Sequence, residues 1–323
     1  MVRRLGLCLV VLGALAVTPA AFAGYPTPMA QQGGLGVMTP DGSTRFLALA
    51  AGGNTVIAKI ATADGSLRKS RSIGGSFGVP VLVYGGAGEG LSRDGSFFVL
   101  ESTGVVSPKT ELKIVSTRNL VASESISLKG SFAYDALSPD GKKLYLIQHS
   151  SVDDLQHYVV RAYDLDAHAL LPGRIADKTQ KSWVMQGFPT ARTSSLDGRW
   201  VFTLYMNPGG YPFIHALDTV RAVAHCVGLP WASSNQGALS NAVLSLRGKT
   251  LAVHWTSGKP WLNVNTVTWR TSHARASSSF PWLWLTVGLG SAAAALALVG
   301  ALIRRRRRPG ALRISPALEG LAK

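Results

Sequence analysis

An all-β fold follows from three features of the 323-residue chain. A short phrase recurs five times: an apolar residue, Ser or Thr, two variable positions, Gly, then an apolar run. Its glycines, at 42, 95, 141, 198 and 248, stand 53, 46, 57 and 50 positions apart. Short β-prone runs surround every phrase, and no long amphipathic helical period lies between Gly34 and Arg270. A period near 50 residues is that of a blade in a radial array of small antiparallel sheets, a β-propeller, rather than of a helical solenoid.

The phrase reads Met38-Thr39-Pro40-Asp41-Gly42, Leu91-Ser92-Arg93-Asp94-Gly95 and Leu137-Ser138-Pro139-Asp140-Gly141. It returns as Ser194-Ser195-Leu196-Asp197-Gly198 and, more weakly, as Leu244-Ser245-Leu246-Arg247-Gly248. Asp bonds its own backbone and Gly accepts positive φ, so Asp-Gly marks a turn. A first run follows each turn: Phe46–Ala50, Phe97–Leu100, Leu144–Ile147, Trp200–Tyr205 and Leu251–Trp255. A second run comes next: Thr55–Ile60, Glu111–Ser116, Tyr158–Tyr163, Phe213–Leu217 and Leu262–Trp269. Third runs such as Val121–Ile126 and Val220–Val227 complete the unit, and Val79–Val83 and Phe132–Tyr134 are candidates for a strand before the phrase.

Leu137 to Tyr145, followed by Val159 to Leu165, resembles a blade of the YVTN-type or WD40-like β-propellers, in which Ser-Pro-Asp-Gly starts the turn before an outward strand. The resemblance covers roughly residues 34–270 and implies a fold, not a ligand. Arg93 replaces Pro in the second repeat, Ser194 the leading apolar residue in the fourth, and Arg247 the Asp in the fifth. Five phrases give five blades. A sixth would need Gly24–Gly36 and the final strand to form a diverged blade.

The ends divide the rest of the chain. Arg3 and Arg4, the apolar stretch Leu5–Val17 and Ala21-Phe22-Ala23 read as a signal peptide over 1–23, with a mature chain from Gly24. The propeller is expected over 24–270 and a polar stalk over 271–279. Phe280 to Ile303 carries no charge, and as a helix Trp282–Ile303 would be about 33 Å long, enough to cross a bilayer. Trp282 and Trp284 suit one interface, and Arg304–Arg308 stop translocation on the other side. The expectation is one C-terminal transmembrane helix over 280–303, a basic cytoplasmic tail over 304–323 and the propeller outside. No Leu-Pro-x-Thr-Gly precedes the span, which favours a retained anchor over a wall-sorting signal.

The formal charge of +16 does not point to nucleic acid. Nine of the 33 basic residues lie in the two ends, and the 24 basic and 16 acidic residues of Gly24–Ser279 are scattered. A nucleic-acid binder concentrates its basic residues. The exception, Arg68-Lys69-Ser70-Arg71, reads as a solvated strand face. Once the signal peptide is gone only Cys226 remains, so no intrachain disulfide is expected, and Cys226 reads as a small buried hydrophobe in an apolar strand.

Chemistry leaves fewer signs. The seven histidines lack zinc-ligand spacing, so no metal or cofactor is expected. Asp153 and Asp154 sit in a loop with neither the Gly nor the Glu of a calcium loop. There is no Gly-x-Ser-x-Gly elbow. Gly85–Gly90 lacks the Lys-Ser/Thr of a phosphate loop and reads as a flexible connection between blades. A lactonase-like site would need Glu89, Glu101, Asp135, Arg161 or His149 to converge, which one sequence does not show.

Two aromatic loops bear on binding. Tyr205, Tyr211 and Phe213 bracket one Pro/Gly loop, and Trp255 and Trp261 bracket its counterpart one repeat later. Both loops join the first and second runs of their repeats, so both should emerge on one face as a recognition rim. The expected function is a membrane-anchored, extracytoplasmic binding or scaffolding module for an envelope protein or anionic polymer. The alternative is a lactonase-like or other envelope hydrolase with its site in the channel.

Overall fold

The computed structural model describes residues 28–274 apart from 105–106, 180–183 and 234. The expected signal peptide, transmembrane helix and cytoplasmic tail lie outside the described residues. Among the described residues no helix is long and apolar enough to cross a membrane.

A short strand, β1 (Met29–Gln31), precedes five antiparallel sheets. The first contains β2 (Val37–Met38), β3 (Thr44–Ala51), β4 (Asn54–Ala61) and β5 (Leu67–Gly74). The second contains β6 (Phe77–Val81), β7 (Phe97–Ser102), β8 (Lys109–Ser116) and β9 (Ala122–Lys129), with β1 paired to β6. The third holds β10 (Phe132–Leu137), β11 (Lys143–His149), β12 (His157–Asp164) and β13 (Ala169–Leu170), with β14 (Met185–Gln186) also on β12. The fourth runs through β15 (Phe188–Ser194), β16 (Trp200–Met206), β17 (Phe213–Asp218) and β18 (Val223–Gly228). The fifth has β19 (Ala242–Arg247), β20 (Thr250–Trp255), β21 (Pro260–Asn265) and β22 (Thr271–His273).

In each sheet the strands pair in chain order, from an inner strand outward, as in a β-propeller. The segments that a sixth blade would use join existing sheets: β1 extends the second and β22 closes the fifth. Strand β22 also carries the fifth sheet into residues expected to form the stalk.

The recurring phrase is a turn with a fixed hydrogen-bond set. In the third sheet Ser138 Oγ donates to Asp140 Oδ1 at 2.5 Å, and the same oxygen accepts Lys142 N–H at 3.1 Å. Gly141 N–H returns to Ser138 O at 2.9 Å, with Gly141 at φ +69°. Thr39–Asp41, Ser92–Asp94 and Ser195–Asp197 repeat the pattern. These bonds hold the Asp140 carboxyl below its ordinary pKa, Ser138 contributing most. The fifth repeat lacks the Asp; there β19 runs on to Arg247, which pairs with Thr250 across a tight Gly248-Lys249 hairpin.

Successive sheets pack face to face over four apolar clusters. Phe46, Ile57 and Phe98 fill the first, Leu112, Leu144 and Leu146 the second, Tyr145, Tyr158 and Tyr205 the third, and Phe202, Leu251 and Leu262 the fourth. Each fully buried large side chain contributes about 1.5 to 3 kcal/mol. Polar stitches recur as well: Phe77 N–H donates to Thr55 Oγ1 and Phe132 N–H to Thr110 Oγ1, both at 2.8 Å. Each ties the start of an inner strand to the sheet before it.

The link from β6 to β7 departs from expectation. Gly85–Gly90 is not a loose connection: Gly88 N–H bonds Gly36 O at 3.1 Å, and Glu89 N–H bonds Pro80 O at 2.8 Å. A side chain at Gly88 would collide with the Gly36 backbone.

Candidate functional site

A cavity of about 860 Å³ lies among the inner strands, on the face formed by the Ser/Thr-x-Asp-Gly turns. Four sheets line it through Met38, Tyr134, Thr190 and Val243, and the segment that joins β6 to β7 supplies the rest of the wall, Leu91 included. At its base three charged side chains meet. Arg192 Nε faces Glu89, 3.0 Å from Oε1, while Nη1 donates to Asp135 Oδ1 at 3.0 Å and to Thr203 Oγ1 at 2.6 Å. Its Nη2 donates to the Asp135 carbonyl oxygen. The Arg192 and Asp135 side chains are only 6% and 3% exposed, so water does little to screen the pair.

Local backbone irregularity aims these groups. The β10–β11 pairing skips Asp135, which is the extra residue of a bulge between Tyr134 and Ala136. The β15–β16 pairing skips Thr190 in the same way, two residues before Arg192. A bulge re-aims nearby side chains and marks designed positions in a sheet. Glu89 arrives from the packed Val79–Glu89 segment.

The electrostatics follow from two carboxylates sharing one guanidinium. Burial raises the Glu89 pKa, against the pull of Arg192. Burial opposes the Arg192 charge, yet Glu89 and Asp135 hold its pKa above the ordinary value. Asp135 Oδ2 is buried without a hydrogen-bond partner. Glu101 lies beside the cluster, its Oε2 accepting Tyr134 N–H at 2.9 Å, and burial pushes its pKa to about 7.

The residues weighed for hydrolysis therefore divide. Glu89 and Asp135 converge, and Glu101 approaches through Tyr134. Arg161 instead bonds Gln148 Oε1 at 2.8 Å and Leu171 O at 2.9 Å. His149 is buried against Tyr158, and its Nδ1 lies 3.2 Å from Leu155 O. Cys226 Sγ lies 3.7 Å from His215 Nδ1, but burial lifts the thiol to about 12 and lowers the imidazole to about 4. That pair is neutral, the reverse of an activated thiolate. Among the described residues no group of three His, Cys, Asp or Glu side chains is placed to hold a metal ion.

The aromatic rim is split. Tyr205 is 1% exposed and stacks on Phe213 at 5.1 Å, so both belong to the packing between sheets three and four. Tyr211 is 69% exposed. Trp255 and Trp261 are half-buried and stack at 5.5 Å; Trp231 meets Trp261 edge-on at 5.3 Å.

Two participants escaped the sequence reading, Arg192 and Trp231. Arg192 had a usable signal. Three positions before the Ser or Thr of each phrase stand Gly36, Glu89, Asp135, Arg192 and Ala242. Aligning the five phrases sets two acids and a base at one place in the repeat, although Glu89 lies outside a strand, Asp135 in a bulge and Arg192 opposite Thr203. Trp231 carries no comparable periodic mark.

No family model matches the chain, and no curated protein matches it. Among solved structures it is similar to hydrazine synthase from Kuenenia stuttgartiensis, at 15% identity and TM-score 0.40, covering 75% of this chain and 77% of that one. It is similar to TolB from Acinetobacter baumannii at 15% identity and TM-score 0.40, covering 73% of this chain and 53%, about half, of TolB. It is also similar to the Swd1 β-propeller domain of Myceliophteria thermophila, at 8% identity and TM-score 0.43, covering 79% of this chain and 72% of that domain.

Proposed function

We propose that this chain is a five-bladed extracytoplasmic binding module, held at a membrane by its C-terminal apolar segment. Its cavity captures an envelope protein or polymer group. The observation that carries this reading is the cavity itself. Strands of four sheets and the segment between β6 and β7 wall it, and its charged base is organised by residues at matching places in three repeats. Such a concave site with a few convergent polar groups is the usual form of a ligand pocket. The sequence supports the anchoring: a charge-free stretch from Phe280 to Ile303, followed by five arginines.

Capture of envelope material by the full chain in detergent tests the reading. Ser194 is exposed and lines the cavity, so Ser194→Trp should plug the mouth and leave the packing intact. Capture that vanishes with this substitution supports the cavity; capture that is unchanged removes it.

A second reading, lactonase-like hydrolysis, draws on one observation: Glu89, whose pKa burial raises, stands with Arg192 and Asp135 at the cavity. Turnover of simple lactones that disappears in Glu89→Gln would favour it over binding.

A further inference from the structure

We infer that the tryptophan rim of the fifth sheet is a bilayer-contact surface, seated in the lipid headgroup region, so that the cavity opens away from the membrane. This rests on the reading of residues 280–303 as a membrane span.

The geometry starts with three indoles. Trp255 ends β20 and Trp261 follows the first residue of β21, with the exposed Thr256–Lys259 turn between them. Trp231 packs against both, 6.4 Å from Trp255 and 5.3 Å from Trp261. All three are half-buried: one side rests on the core of sheets four and five, and the remainder meets solvent. Indole rings that are apolar on one side and wet at the other collect at membrane interfaces. Lys259, the last residue of the same turn, adds an exposed cation suited to phosphate headgroups.

The described chain also ends there. Strand β22 pairs with β21 through Leu262–His273, and Ala274 N–H reaches Trp261 O at 3.4 Å. Five residues, Arg275 to Ser279, separate that point from Phe280. Fully extended, they and the flanking bonds reach roughly 20 Å. A propeller leaving the lipid on so short a connection presents the end that carries the exit point.

The turn face, at the far end of the strands, carries Asp41, Asp94, Asp140 and Asp197, whose hydrogen bonds within the turns hold their pKa values low. The same turns carry Arg93, Lys142, Lys143, Arg199, Arg247 and Lys249, so it is the tryptophans and the exit point, not charge, that distinguish the other face. The cavity opens among those turns, since Pro40, Arg93, Pro139 and Leu196 line it. The tryptophans lie at the opposite strand ends, where Ala242 pairs with Trp255.

Quenching of tryptophan emission by lipids brominated in the acyl chains tests this, with the full chain in phosphatidylcholine–phosphatidylglycerol vesicles. The chain has eight tryptophans, so two variants divide the signal. Trp282→Phe with Trp284→Phe removes the anchor's tryptophans and leaves the rim together with Trp183, Trp200 and Trp269. Trp231→Phe, Trp255→Phe and Trp261→Phe together remove the rim and leave the anchor with the same three other tryptophans, and far-ultraviolet circular dichroism checks the fold. Quenching is expected in both, and in the first variant it should disappear when the three rim substitutions are added. Quenching in the second variant alone overturns the docking surface and leaves the anchored reading standing. Quenching in neither overturns both.

Discussion

Arg192 and Asp135 occupy the same place in successive repeats, three residues before the serine of the turn phrase, and they meet at 3.0 Å. Glu89 holds the equivalent place one repeat earlier and reaches the same guanidinium. The remaining two repeats carry Gly36 and Ala242 there. One repeated position thus supplies the three members of the ion cluster, and small residues in the other two repeats. It joins sheets two, three and four by contacts that no strand pairing provides.

Arg192→Met should therefore destabilise the fold by about 3 to 5 kcal/mol, because two buried carboxylates lose their shared cation. Urea unfolding measures it. Adding Glu89→Gln and Asp135→Asn should restore much of the loss. A triple variant no better than Arg192→Met would show that packing of the arginine stem, not its charge, holds the site.

Much of this architecture is legible in the sequence, because Ser/Thr-x-Asp-Gly turns and the runs beside them are local. The turn bonds at Ser138–Asp140 span two residues, and the expected runs around them are strands. The ion cluster is harder to see. Arg192 reaches partners 57 and 103 residues away, and Asp135 faces it through a bulge that no periodicity announces. Tyr205 looked like a loop aromatic, yet it is the penultimate residue of β16, inside the sheet packing. The glycines of residues 85–90 suggested slack, whereas Gly88 is required by a close backbone approach.

Stability should fall as pH rises toward neutrality. The Glu101 carboxyl titrates near 7 in the fold against 4.5 when free, because burial disfavours its charge. The folded state binds that proton more tightly, so the contribution is complete below about pH 4.5 and is lost as pH rises through 7. The difference amounts to about 3 kcal/mol. Urea midpoints at pH 5 and pH 8 should differ in this sense for the natural protein, and Glu101→Gln should narrow the gap. An equal gap in both proteins would assign the dependence elsewhere.

Cys226 should resist alkylation in the native state. Burial puts its thiol near 12, so at pH 8 the thiolate population falls on the order of 10³-fold below that of a free cysteine. Iodoacetamide labelling followed by mass spectrometry should show slow modification of the folded chain and prompt modification in urea. Prompt labelling without urea would mean that the Asp177-capped edge of β18, where Cys226 N–H bonds Asp177 Oδ2 at 2.8 Å, opens readily.

The turn glycines separate two costs of adding a side chain. Gly95 has φ +70° and open space where a Cβ would stand, so Gly95→Ala should cost only the left-handed backbone penalty of about 1 to 2 kcal/mol. Gly141 has φ +69°, and its Cβ would come within 3.2 Å of the Phe97 ring, which packs on the core between sheets two and three. Gly141→Ala should therefore cost more than Gly95→Ala. Gly95→Asn should cost less than Gly95→Ala, because Asn tolerates positive φ. Thermal unfolding of the three variants gives the order. If Gly95→Ala and Gly95→Asn matched the natural protein, the Asp-Gly turn would not need its left-handed residue, and the repeated phrase would lose its conformational basis.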